Sequence, residues 1–517
     1  MRRVALLLIV FFLPSLSQAV SNEALQSLAA KLERWEIEEA WEEVRVLLGT
    51  EPREARLLEL ASQIAFHRGD YEEARRLARS ALEAGGGEER LKGFLSLIEE
   101  TLGAVSPLKR YETSHFVIHL DEARDGILIG YLTETLERTC EAMAAIYGFR
   151  PKEKVRVEIF PDARSFFFAS SLMAADIEKG AVGLTRFNKL MLLSPGALVH
   201  GYRWLDAISH EYLHYLIVRM TANNAPVWFH EGLAKFEESR WREGPSYLSP
   251  LHQGLLLRAI AEGKLIPFDR MEPSVIRLET PEEVQLAYAQ AASAIEFLLS
   301  KAGYQGLREA MKRMAGQSRR GAKEAIEGVL GMAFEEFVRE WRRFLAAKDL
   351  KGPKEGGVRR HRLKEGKSEE ERLDLEEIRS IVARNRAHLG DLLRSRGRME
   401  AAVLQYRRGL EEAPDSTPIL NRLSSVLIQL KREEEALPLL QRARELSPDH
   451  PAPYANLGKA YLRLREFGRA RESFLESIHL NPFDPEVHLG LAEAYERLGE
   501  EAPALKEREI ARRLGQR

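Results

Sequence analysis

The chain has 517 residues, with 77 Lys and Arg against 79 Asp and Glu, a net charge of −2 and a single cysteine. That length predicts several domains, and the balanced charge with no basic face excludes nucleic acid as an expected partner. One cysteine permits no intrachain disulfide, and no segment beyond the amino terminus is apolar enough for a transmembrane span.

In chain order, residues 1–19 read as a secretory signal. Arg2 and Arg3 precede an apolar run from Val4 to Leu13, and Ser17-Gln18-Ala19 supplies a small-residue cleavage site. The run is too short to cross a bilayer, and no cysteine follows it for lipid attachment. An exported protein, periplasmic or extracellular, is the expectation.

Residues 20–104 read as degenerate helical repeats. Ala40 and Ala74 lie 34 positions apart, Gly69-Asp70-Tyr71 fits an inter-helix turn, and Gly85-Gly86-Gly87 breaks the region before a last helix.

Residues 105–348 open with strands. Phe116, Ile118 and Leu120 alternate with polar neighbours. Val155, Val157 and Ile159 do the same after a helix over 128–147 that Gly148 ends. Cys140 falls on that helix's apolar stripe with Leu132, Leu136 and Met143, which places it in the core. Leu190-Met191-Leu192-Leu193 reads as the sheet's edge strand.

The chemistry concentrates in His210-Glu211-Tyr212-Leu213-His214. Residues four apart share one face of a helix, so His210 and His214 present imidazole nitrogens to one metal ion with Glu211 beside them. Apolar residues surround the helix over 204–218, the pattern of a helix buried on most sides. Its polar exceptions are Asp206, Ser209, His210, Glu211 and His214, and burial obliges them to be hydrogen-bonded or metal-bound.

A tight connection over 221–226, with Asn223, Asn224 and Pro226, starts a second helix. Glu231 lies about one turn into it, where its carboxylate completes a triad. Glu237 and Glu238 are the alternative third ligands, and the small Gly232 and Ala234 favour Glu231 by permitting close helix packing.

Taken in order, HExxH, a short loop and then Pro226-Val227-Trp228-Phe229-His230-Glu231-Gly232-Leu233-Ala234 resemble the gluzincin zinc peptidases, and specifically peptidase MA-like members joined to tetratricopeptide repeats. The resemblance covers residues 107–347. It implies an α+β thermolysin-like catalytic domain and one Zn²⁺ held by His210, His214 and Glu231. It further implies Glu211 as general base in peptide-bond hydrolysis, with protein or peptide as substrate. It also implies that the sheet edge holds an extended peptide by strand addition.

Tyr288 resembles the tyrosine of a helix that follows the metal site in related domains, which makes it an oxyanion stabiliser or a plain core tyrosine. Asp206, one turn before His210, is either an orienting partner of a ligand histidine or a helix-surface acid. His230 stands where thermolysin-like relatives support a ligand histidine.

Phe337, Trp341 and Phe344 share a stripe on the domain's final helix. Residues 349–382 read as a charged linker and helix, solvated or touching an anionic envelope polymer.

In residues 383–517, Leu389, Leu423, Leu457 and Leu491 recur every 34 positions, as do Ala402, Ala436, Ala470 and Ala504, and Pro414, Pro448 and Pro482. That period is the tetratricopeptide helix–turn–helix, so four repeats form an all-α solenoid whose concave face takes a protein partner. The reading is an exported zinc metallopeptidase flanked by repeat solenoids. The alternative is an envelope adaptor with an inactive peptidase-like domain.

Overall fold

A computed structural model describes residues 21–170, 172–242, 248–316, 321–352, 358, 360–364 and 369–516. The secretory segment read at 1–19 and part of the linker lie outside the described residues. The chain divides into two compact units, the first ending at Glu99 and the second running from Glu100.

In the first unit, paired helices Asn22–Glu33 with Ile37–Thr50 and Ala55–Arg68 with Tyr71–Glu83 carry Ala40 and Ala74 fully buried at their crossings. Gly69 closes the third helix in the left-handed region, at φ 89°, a conformation that glycine adopts without a Cβ penalty.

The second unit is mostly helical around one small mixed sheet, in the order β1-β2-β3-β5-β4. Its strands are β1 (Lys109–Glu112), β2 (Phe116–Leu120), β3 (Val155–Phe160), β4 (Gly183–Arg186) and β5 (Lys189–Leu193). Parallel pairing of β2 with β3 demands a crossover, supplied by helix Ile129–Tyr147. Cys140 is buried in that helix, where the Tyr212 hydroxyl donates to its Sγ at 3.3 Å.

The edge assignment needs correction. β5 is interior, parallel to β3 on one side and antiparallel to β4 on the other. Its five residues are all buried, and an uninterrupted apolar run marks a strand covered on both faces. The edge on this side of the sheet is β4, joined to β5 by the two-residue turn Phe187-Asn188, with Phe187 in the left-handed region at φ 55°.

Carboxy-terminally, eight helices from Ile381–Ser395 to Glu501–Gly515 form four antiparallel pairs. Leu423, Leu457 and Leu491 are buried between pairs, whereas Leu389 is 40 % exposed because the first pair has no preceding repeat to cover it. This arm is clasped to the sheet domain. Trp204 Nε1 donates to Ile478 O at 3.0 Å and Tyr202 N to Leu480 O at 2.9 Å. The Tyr131 hydroxyl reaches the Glu507 carboxylate at 2.7 Å.

Candidate metal centre

Helix Trp204–Thr221 is buried almost all round, lying across β4 and β5 and against helices Ile129–Tyr147, Val227–Glu237 and Pro281–Ala315. Ala222, at φ 49°, ends it in the left-handed region, and Pro226 precedes the first residue of helix Val227–Glu237. This reversal brings the first turn of the second helix onto the histidine face of the first.

The triad read from the sequence converges. His210 Nε2 and His214 Nε2 each lie 3.4 Å from Glu231 Oε2, and the two imidazole rings stand nearly perpendicular with centroids 4.6 Å apart. Two ligands ~2.1 Å from a tetrahedral cation are separated by ~3.4 Å, so this spacing fits a cation between them. Glu231 Oε2 is buried and accepts no hydrogen bond. A carboxylate oxygen left so costs free energy unless a cation neutralises it. Two imidazoles and one carboxylate are a zinc-type donor set with a corner left open.

The neighbouring acids divide the remaining roles. Glu238 Oε2 lies 3.0 Å from His210 Nδ1. An ionised carboxylate only accepts, so Nδ1–H donates, which leaves Nε2 as the nitrogen that would face a cation. Lys235 pairs with the other oxygen of Glu238. Burial pushes the Glu238 carboxyl up, but the Lys235 charge and the His210 hydrogen bond outweigh it and hold it at about 2. Glu237 faces elsewhere, accepting from Tyr147 at 2.9 Å, Tyr304 at 3.0 Å and Arg240 at 2.7 Å.

Burial also lowers the His210 imidazole pKa, yet the Glu231 and Glu238 carboxylates beside it prevail and push it up to about 10. For Glu231 burial is outweighed by the charges of the His214 and His210 imidazoles beside it, which hold it well below the usual carboxylate range. Without a cation, these groups share protons instead, so loading a cation is coupled to proton release.

Glu211 points from the same helix toward the sheet edge. Thr185 Oγ1 on β4 lies 2.7 Å from both Glu211 Oε2 and the Glu211 carbonyl oxygen. Burial raises the carboxyl pKa of Glu211 against the lowering charges of His214 and His210, the direction a proton acceptor near neutral pH requires.

Tyr288 presents its ring edge-on to His210, centroids 6.1 Å apart. Burial and the nearby charges of Glu231, Glu211 and Glu238 raise its phenol well above the ordinary value, so it stays a donor. The ring of His230 lies 5.6 Å from that of His214.

Asp206 takes neither role foreseen for it. It accepts from Trp241 Nε1 at 3.0 Å and Arg242 Nη2 at 2.8 Å, turned away from the ligand histidines and nearly buried. Arg242 continues to Glu476 at 2.6 Å on the repeat arm, so Asp206 belongs to the clasp. Gly232 does permit close helix packing, against helix Pro281–Ala315, where a Cβ would meet Ala291 O at 2.5 Å.

Sequence reasoning weighed Glu238 only as an alternative third ligand, not as the partner of His210 Nδ1, and it missed Thr185 and Gly183. Glu238 lies two helical turns after Glu231, and that spacing on one face is the signal that finds it. Thr185 and Gly183 sit on a strand with no apolar alternation, so nothing local marks them.

Residues 136–347 match the Peptidase MA superfamily. Tetratricopeptide repeats match on both sides, at 23–89 and at 363–517. The chain is thus a peptidase MA-superfamily domain flanked by tetratricopeptide repeats.

No curated protein matches the chain. Among solved structures, MamA of MSR-1 is 26% identical, covering 29% of this chain and 87% of that chain at a TM-score of 0.24. MamA of AMB-1 is 27% identical, covering 29% and 89% at 0.25. MamA 41-end from Desulfovibrio magneticus RS-1 is 20% identical, covering 28% and 86% at 0.25.

Proposed function

We propose that this protein is an exported zinc-dependent metallopeptidase of the gluzincin, thermolysin-like type, whose repeats recruit a protein substrate or partner. The observation that carries the reading is the convergence of His210, His214 and the unbonded Glu231 oxygen on one point, with Glu211 beside it. His210, His214 and Glu231 would hold the zinc, which when bound polarises a carbonyl and lowers the pKa of a coordinated water to ~7.

The chain's own groups do the rest. Glu211 accepts the proton of the attacking water at its carboxylate and passes it to the departing amine. Thr185 fixes which way that carboxylate points. Tyr288, kept protonated, donates to the oxygen on which negative charge develops. β4 is the sheet edge beside Glu211, and an extended peptide pairing with it lays its backbone along the base. The basic and apolar pattern of residues 1–19 supports export.

The test compares Glu211→Gln with His210→Ala on a peptide library, with metal counted in each. Glu211→Gln is expected to keep zinc and lose hydrolysis, and His210→Ala to lose both. Full hydrolysis in Glu211→Gln rejects the assignment.

A further inference from the structure

We propose a second divalent-cation site, of the zinc class, at the seam between the sheet domain, the linker helix and the third repeat, formed by His200, Asp374 and His450. Each residue comes from a different part of the chain. His200 follows β5, in a segment that the linker joins through the bridge Leu198↔Leu363 and the bond from Val199 N to Arg362 O at 3.0 Å. Asp374 lies on the linker helix Glu369–Glu376, and His450 caps helix Pro451–Arg463.

The geometry repeats that of the first centre. His200 Nε2 and His450 Nε2 lie 3.5 and 3.6 Å from the same oxygen, Asp374 Oδ1. The corresponding separations at His210, His214 and Glu231 are 3.4 Å. Ring centroids are 4.8 Å apart here and 4.6 Å there. Both sets bring one donor atom per residue within 4.8 Å of the others. Direct imidazole–carboxylate hydrogen bonds close to about 2.7–2.9 Å, whereas ligands sharing a tetrahedral ion stand ~3.4 Å apart.

The surroundings support the donor set. The side chains are 10, 11 and 2 % exposed in the order His200, Asp374 and His450. Arg422 Nη1 stands 3.8 Å from the second oxygen, Asp374 Oδ2, and its own charge is met by Asp391 at 3.2 Å. That leaves Oδ1 directed at the imidazoles, the arrangement in which outer groups orient a ligand.

His450 Nδ1 accepts from Ala452 N at 3.3 Å, and a neutral imidazole bound through Nε2 carries its proton on Nδ1. Metal loading therefore exchanges this long cap contact for a bond that ties three segments together.

The experiment strips the full-length protein with a chelator, dialyses it against Zn²⁺ and counts zinc per chain by elemental analysis. Wild type is expected to hold two equivalents. His450→Ala or His200→Gln is expected to hold one, and the retained equivalent reports that the variant is folded. His210→Ala also holds one, and the His210→Ala/His450→Ala double variant none.

If His210→Ala keeps the wild-type count while His450→Ala loses one, the seam site stands and the first centre fails as a metal site. One equivalent in wild type, unchanged by both His450→Ala and His200→Gln, overturns the seam site. The cluster is then a hydrogen-bonded contact through His450 Nε2–H.

Discussion

Gly183 on β4 lies directly against the carboxylate of Glu211: a Cβ at that glycine would stand 2.5 Å from Oε1. The sheet edge and the base are therefore in contact, with Thr185 two residues on holding the other carboxylate oxygen at 2.7 Å. Gly183→Ala must move Glu211 off its position without touching a metal ligand. The expected result is a fall in kcat of about 100-fold, the scale of a lost general base, at unchanged zinc content. Steady-state kinetics with metal analysis checks it, and unchanged kcat contradicts the contact's role.

Glu238 orients His210 through Nδ1, and removal of such a partner costs roughly 10–100-fold in metal affinity. Glu238→Ala should weaken zinc binding by that amount in a competition titration with a chromophoric chelator. Asp206→Asn, which touches Trp241 and Arg242 instead, should leave zinc affinity unchanged.

Tyr288→Phe removes only a hydroxyl. If that hydroxyl meets developing negative charge, kcat falls by about 100-fold or more while KM and zinc content hold. A fall in KM alone, or none in either constant, assigns Tyr288 to packing.

The clasp between the domains is sensitive to acid through Glu476, which bonds Arg203 at 2.9 Å and Arg242 at 2.6 Å. Burial pushes its carboxyl up, but the hydrogen bond with His479 and the charges of Arg203 and Arg242 outweigh that and hold it well below the usual range. A depressed folded pKa gives stability that is complete above the unfolded value of ~4.3 and is lost as pH falls below it. Glu476→Gln should therefore melt on the order of a few degrees below wild type at pH 7. That gap should shrink as pH drops through ~4, as followed by circular dichroism.

What the sequence made legible is what local spacing controls. Imidazoles four apart on a helix share a face wherever that helix lies, and the burial of helix Trp204–Thr221 was written in its apolar circumference. Gly148 marked a helix end because its backbone occupies the left-handed region, at φ 70°. The 34-residue period placed Ala402, Ala436, Ala470 and Ala504 in buried crossings for the same reason.

Partners that arrive from afar stayed hidden. Asp206 meets Arg242 and, through it, a glutamate on the repeat arm, so no pattern near Asp206 announces its use. β4 is polar and short, and its place at the edge is fixed by pairing with β5 rather than by its own residues. In β5 the apolar run over 190–193 reads as an edge from the sequence, whereas such a run marks an interior strand.

The most direct measurement is peptide-library hydrolysis by wild type and Glu211→Gln at matched zinc content. The account predicts zinc-dependent cleavage by wild type and a loss of roughly 1,000-fold in the variant with its zinc retained. Equal cleavage by the two, or wild-type cleavage that persists after complete removal of zinc, would contradict it.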